Sequence, residues 1–274
     1  MARFGRQYNQ STIDKFDKEG RGQGELTQYL PWLKVYDVPS IGRSWIVRGW
    51  KTGREHHLLS DLEYKFFLVA EWSNHITDIR EQYPLRPLEV TEAIATEMGG
   101  RHPIHPRSRL PWVMTTDFLL TLRSVSDSTI PILHARTCKY AKELISPSTM
   151  EKFEIERRFW EKQGVDWGIV TERDIPTTLA HNVQILHQSY FLPEFQAHND
   201  IADIAHALSD LLRLNLSQPL RWIGRTCDEH LGYQRGTSLQ VAYYLMATKQ
   251  WRIDMHQPLN PSKPLNVLKV MLSV

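Results

Sequence analysis

Three polar residues of this chain stand where a folded protein normally avoids them. Asp117 interrupts the apolar run Val113-Met114-Thr115-Thr116-Asp117-Phe118-Leu119-Leu120. A carboxylate inside such a strand is unfavourable unless it is paired, hydrogen-bonded or bound to a cation. Lys139 follows 22 positions later in a second β-rich run. It lies two residues after Thr137, so on a strand both side chains leave the same face. Glu63 flanks the apolar stripe of an earlier amphipathic segment. An acid on one strand, a lysine on the next and a glutamate from a helix suit cation-dependent hydrolysis of a phosphodiester. Carboxylate oxygens hold hard cations such as Mg²⁺. The cation stabilises charge at the phosphorus and acidifies a bound water. A nearby lysine orients that water, takes its proton or neutralises developing charge.

Each residue also has a plainer reading. Glu63 stands three positions after Ser60, the spacing of a capping box. Asp117 could pair with a buried arginine, and Lys139 could extend from a strand end to solvent. Asp and Lys at this separation match by chance in many proteins. The site therefore rests on the order of the three residues along these elements.

Those elements read as follows. A short helix runs from Ser11 to Glu19 and closes at Gly20. Residues 20–57 are rich in Gly, Pro and aromatics and read as loops with short strands such as Trp45-Ile46-Val47, with a turn at Lys51-Thr52-Gly53-Arg54. A helix from Ser60 to Trp72 follows, with Leu59, Leu62, Phe66 and Val69 at helical spacing. Residues 76–82 read as a strand ended by Pro84. Strands over 113–122 and 130–140 flank a turn at Ser126-Asp127-Ser128. A long helix from Pro147-Ser148 to Gln163 is expected to start on a Ser148–Glu151 capping box and to stop at Gly164. A short strand, residues 167–171, completes an α/β arrangement. After Pro176 the texture is helical: Ile201, Ile204, Ala205, Leu208, Leu211 and Leu212 form one apolar face. A short helix at 227–231, a longer one at 237–247 and a β-like segment at 251–253 suit a winged helix.

Composition excludes several classes. With 41% hydrophobic and 23% charged residues the 274-residue chain is ordinary for a globular protein, and its length allows one or two domains. No run nears the roughly 20 apolar residues of a membrane helix, and the first ten residues do not read as a signal peptide, which places the protein in the cytoplasm. Cys138 and Cys227 form neither a disulfide framework nor a zinc spacing. His102-Pro103-Ile104-His105 reads as a surface loop rather than a zinc site. There is no G-x-S-x-G elbow and no phosphate-binding G-x-x-x-x-G-K-[ST] loop. Residues 1–60 carry ten Lys/Arg against six Asp/Glu, a balance of +4. That is compatible with phosphate contacts, although a solvated surface explains it as well. Gly20-Arg21-Gly22-Gln23-Gly24 reads as a flexible turn near DNA or a partner.

Several stretches, taken in order, carry a family resemblance. They are Glu19-Gly20-Arg21-Gly22-Gln23-Gly24, Tyr29-Leu30-Pro31-Trp32-Leu33, and Lys51-Thr52-Gly53-Arg54 running on to His57-Leu58-Leu59-Ser60-Asp61-Leu62-Glu63. Asp78-Ile79-Arg80-Glu81-Gln82-Tyr83-Pro84-Leu85, Met114-Thr115-Thr116-Asp117-Phe118-Leu119 and Glu151-Lys152-Phe153-Glu154-Ile155-Glu156-Arg157-Arg158-Phe159-Trp160 complete the set. The chain resembles the TnsA family, the endonuclease subunits of heteromeric cut-and-paste transposases of the Tn-seven type. The resemblance covers most of residues 19–171. It implies a restriction-endonuclease-like α/β core over residues 1–172 and a mainly helical, winged-helix-like domain over 173–274. It also implies catalytic roles for Glu63, Asp117 and Lys139, and Mg²⁺ (with Mn²⁺ as a substitute) on Glu63, Asp117 and the carbonyl of Cys138. Where the family has Gln or Glu as a ligand this chain has Thr137, which weakens a second cation site, and Arg136 competes with Lys139 if the register slips. By resemblance the substrate is double-stranded DNA at transposon ends, cut on the non-transferred strand at its 5′ side. The implied partners are a DDE transposase subunit of the TnsB kind and an AAA-type ATPase of the TnsC kind, the latter met by the C-terminal domain. A stand-alone restriction or repair nuclease and a non-catalytic DNA-binding adaptor are the rival readings.

Overall fold

A computed structural model describes residues 8–38, 42–124, 131–194 and 198–270. Backbone contacts divide the chain into two compact units, Met1–Ile175 and Pro176–Val274.

The first unit opens with α1 (Gln10–Lys18), capped by Asn9, whose side chain accepts from the Thr12 amide. The hairpin of β1 (Trp45–Arg48) and β2 (Glu55–Leu58) follows. Next comes α2 (Asp61–Trp72), with Ser60 as N-cap. The central sheet has the order β3 (Ile76–Pro84), β4 (Thr115–Leu122), β5 (Ile132–Cys138), β6 (Asp166–Val170). Its first three strands are antiparallel and β6 is parallel to β5, because the connection from β5 to β6 is a crossover through α4 (Pro147–Lys162). Between β3 and β4 lies α3 (Leu88–Glu97). Leu119 and Ala135 of the sheet pack with Ile94 and Ala95 of α3 and with Ile155, Phe159 and Trp160 of α4 in one buried core. Phe66 of α2 meets Phe118 edge-on, ring centres 5.2 Å apart. This is a mixed α/β unit, as the strand and helix periodicities require.

Three local expectations are corrected. The long helix does not start on a Ser148–Glu151 capping box: Pro147 occupies the first turn and Ser146 is the N-cap, since proline fits where no amide is needed. The glycine-rich segment is not a flexible turn. Gly20, Gly22 and Gly24 all have positive φ, and a Cβ on Gly22 would sit 2.3 Å from Pro84 Cγ. The segment is thus packed against the end of β3. The arginines of the basic arm do not all face solvent. Arg21 is buried against Glu19 and Asp37, and Arg54 against Glu81. The expected turn at 126–128 lies outside the described residues.

The second unit contains α5 (Thr177–Leu186), a 3₁₀ stretch (His187–Glu194), α6 (His198–Leu214), α7 (Leu220–Leu231) and α8 (Thr237–Ala247). The antiparallel pair β7 (Trp251–Ile253) and β8 (Val267–Val270) ends it. The unit is mainly helical, with one small antiparallel strand pair at its end. Helix α7 starts seven residues earlier than the sequence pattern suggests. Gly224 breaks the apolar periodicity, yet it is buried inside α7 and faces Leu239 of α8, where a Cβ would lie 3.4 Å from the Leu239 amide nitrogen. No helix among the described residues is long and apolar enough to cross a membrane.

Candidate active site

Glu63 serves two purposes. Its backbone N–H donates to Ser60 Oγ at 3.1 Å and the Ser60 hydroxyl donates back to Oε1 at 2.8 Å, so Ser60 caps the helix as the spacing predicts, in a variant of the capping box. The Leu59 amide donates to Oε2 at 2.8 Å. Yet the carboxylate is also 94% removed from solvent and faces Asp117. Capping a helix from its third residue turns the side chain back across the N-terminus, which here is toward the sheet.

Asp117 owes its position to the sheet register. The paired residues of β4 and β5 end at Phe118 opposite Arg136. Just past that point the Cys138 amide donates to Asp117 Oδ2 at 2.7 Å. The two strands are thus joined at the site by a side chain.

One residue that sequence reasoning missed lies between the acids. Gln82, 2% exposed in β3, donates from Nε2 to Glu63 Oε2 at 3.3 Å and to Asp117 Oδ1 at 3.4 Å, while its Oε1 accepts from Thr115 Oγ1 at 3.1 Å. The electrostatics follow. Burial first, and then the Asp117 charge, raise the Glu63 pKa above the usual carboxylate range. Burial raises Asp117 as well, opposed by the Cys138 amide, by Gln82 and by the Lys139 charge. Two desolvated carboxylates share one neutral amide.

The remaining predicted residues fall around this pair. Lys139 lies one residue beyond β5, its amide bonded to the Val170 carbonyl. Its ammonium pairs with Glu143 Oε2 at 2.6 Å, and its charge acts on Asp117. Arg136 is committed elsewhere, to Asp166 at 2.5 Å and to the Ala135 and Asp166 carbonyls. Cys138 contributes its backbone, and burial pushes its thiol pKa up. Thr137 does not reach the acid pair: its hydroxyl donates to Glu156 of α4, whose Oε1 also accepts from Thr116 at 2.7 Å. Glu156, also missed, is fully buried, and burial raises its pKa to about 7. Its signal in the sequence was an acid on the apolar side of the α4 pattern, beside Ile155 and Phe159. His102 bonds Thr91 and the Pro103 carbonyl, and His105 bonds Ser108. No group of three or more His, Cys, Asp or Glu side chains among the described residues is placed to hold a metal ion.

Comparison with known proteins decides the family. A model described as TnsA-like endonuclease N terminal matches residues 73–172, and one described as TnsA endonuclease C terminal matches residues 174–255. The transposon Tn7 transposition protein TnsA of Escherichia coli is 36% identical over 234 residues, 85% of this chain and 83% of that protein. The chain belongs to the TnsA endonuclease family. The four-stranded mixed sheet is accordingly the restriction-endonuclease-like core of that family, and its helical second unit the TnsA C-terminal region. The N-terminal match starts beyond Glu63 and spans Gln82, Asp117 and Lys139.

Proposed function

We propose that this protein is the divalent-cation-dependent endonuclease subunit of a cut-and-paste transposase, cutting the non-transferred strand at the 5′ side of each transposon end. The observation that carries the reading is the convergence of Glu63 and Asp117, both desolvated, on the Gln82 amide. A buried carboxylate is unfavourable unless it is hydrogen-bonded, paired or bound to a metal ion. The hydrogen bonds to these two come from amides and a hydroxyl.

The donor set suits a hard cation. Glu63 and Asp117 supply carboxylate oxygens, and the Cys138 carbonyl is the adjoining backbone oxygen. Thr137, engaged by Glu156, is left out, so the reading is one cation rather than two. Two protein carboxylates, with water and substrate oxygens completing the shell, is the habit of Mg²⁺; Mn²⁺ accepts the same ligands. The cation, when bound, stabilises negative charge on the phosphate and acidifies a water. The protein's own residues do the rest. Asp117, tethered by the Cys138 amide, fixes the site to the β4–β5 junction. Lys139 extends from the end of β5 beside Asp117 and supplies the ammonium that positions the attacking water or neutralises developing charge. Its bond to Glu143 is exposed and exchangeable, since ion pairs of this kind are weak.

The substrate is double-stranded DNA at transposon ends. The relative is a transposition protein, which supports partners of the TnsB (DDE transposase) and TnsC (AAA-type ATPase) kinds, the ATPase meeting the C-terminal unit, in the cytoplasm. The test is strand-specific cleavage of an end-labelled transposon-end duplex with the partner transposase. Wild type with Mg²⁺ should cut the 5′ side, and Asp117→Ala or Glu63→Ala should not. Full cleavage by either variant, or undiminished cleavage in EDTA, refutes the reading.

A further inference from the structure

The geometry points to Gln82 as the positioning residue that sets the separation of the two proposed cation ligands, Glu63 and Asp117. This inference rests on the functional reading above and adds to it a residue outside the acid–acid–lysine set.

Four observations support it. Among the described residues Gln82 is the one whose side chain bonds both acids, from a single nitrogen, at 3.3 and 3.4 Å. The end of the amide that faces both acids is the nitrogen. The opposite end is held by Thr115, next but one to Asp117 on β4, which stops the amide from turning over. The backbone is also unusual. Gln82 has φ +48°, although it lies between the regular pairs Glu81–Phe118 and Tyr83–Thr116. A left-handed residue that is neither Gly nor Asn is uncommon inside a strand, and such strain gathers at functional positions. Finally, the neighbours of Gln82 are fixed: Glu81 is anchored to Arg54 and His56, and its carbonyl accepts from the Tyr29 hydroxyl at 3.0 Å. The amide therefore projects from a rigid base.

The role follows from the geometry. Glu63 and Asp117 stand on different elements, α2 and β4, and one NH₂ group bonds them both. The two hydrogens of one NH₂ group draw both carboxylates to a common centre and hold them at the spacing a single cation requires. Groups that orient metal ligands from outside the coordination sphere typically change affinity 10- to 100-fold when removed.

The experiment is calorimetric titration of the full chain with Mn²⁺, alongside thermal melts without metal. Gln82→Met keeps the length and volume and removes both donors. It should bind Mn²⁺ 10- to 100-fold more weakly than wild type while the metal-free melt stays cooperative. Thr115→Val, which removes only the bond orienting the amide, should weaken binding in the same direction by less, and it gives the decisive result if Gln82→Met does not fold. Wild-type affinity in Gln82→Met, or in Thr115→Val where the former does not fold, overturns the inference. A merely structural role would lower the melting temperature and leave the affinity unchanged. Asp117→Ala separates the two levels. If wild type takes up no Mn²⁺, or Asp117→Ala takes up as much, the cation site itself is wrong. If uptake depends on Asp117 but not on Gln82, only the positioning role fails.

Discussion

Glu81 and Gln82 are consecutive residues of β3, and they serve two buried acidic clusters that differ in one respect. Around Glu81 every charge is matched. Arg54 donates to both its oxygens at 2.9 and 2.7 Å, His56 Nδ1 lies at 2.8 Å, and the His57 amide donates at 3.1 Å. His56 and Arg54 outweigh burial and hold the Glu81 carboxyl far below the usual range. Around Gln82 two carboxylates converge on a neutral amide, and burial raises both pKa values. The first cluster joins β2 to β3 and is complete within the protein. On the proposed reading the second is completed by a bound cation.

The largest test of that contrast removes one member of each cluster. Asp117→Ala should lower the strand-cutting rate by about 10³-fold or more, the scale of losing a principal electrostatic stabiliser. Its metal-free melting temperature should hold or rise, because the change removes a carboxyl group whose burial is unfavourable. Arg54→Met should do the reverse. Breaking a buried pair from one side costs about 3–5 kcal/mol, read as a denaturant midpoint far below wild type. If Asp117→Ala unfolds the protein and Arg54→Met melts normally, the two clusters have been assigned the wrong way round.

Much of this was legible in the sequence, for physical reasons that also mark where legibility ends. Asp117 stood out because an acid within an apolar strand pattern needs a partner. Ser60 and Glu63 fixed the start of α2 because capping spacing is local chemistry, and nothing local revealed that the same carboxylate also meets Asp117. Gln82 was hidden within Arg80-Glu81-Gln82, where three polar residues in a row look like a solvent face; only the pairing of β3 with α2 and β4 shows them buried. Arg21 and Arg54 read as surface charge because their acids, Asp37 and Glu81, lie 16 and 27 positions away. Thr137 was expected near the cation because the family resemblance puts a ligand position there, and it is drawn away by Glu156 on a helix that begins ten residues after it. The helical order after Pro176 was visible in its apolar spacing except where Gly224 interrupted α7.

Lys139 supplies a smaller test that sharpens the boundary of the second cluster. Lys139→Ala should slow cleavage by about 10²-fold, within the range of lost acid–base assistance, with Mn²⁺ affinity changed far less than in Asp117→Ala. Arg136→Ala, whose guanidinium is engaged by Asp166, should cut within a few-fold of wild type. The opposite ranking of the two variants would move the catalytic cation to Arg136.

Glu71 provides the finest test, because it lies between the two extremes. Its Oε2 accepts from the Trp50 and Lys51 amides at 2.6 and 3.3 Å, while Oε1 is buried without a hydrogen-bond partner. Burial outweighs those bonds and raises its pKa to about 7 from 4.5. Below pH 4.5 the acid is protonated in both folded and unfolded chains and contributes no pH dependence. Between 4.5 and about 7 the unfolded chain releases the proton while the folded one retains it, so stability falls as pH rises and levels off above 7. Glu71→Gln cannot ionise. Its melting temperature relative to wild type should therefore climb between pH 5 and pH 8, by about 2–4 °C for each kcal/mol recovered, and cleavage should be untouched. Glu63 and Glu156 bend the wild-type curve in the same direction, which is why the difference between the two proteins is the quantity to follow. A difference that stays flat across that window would mean Lys51, whose charge also acts on Glu71, already completes the cluster, and would place Glu71 with Glu81 rather than between the two.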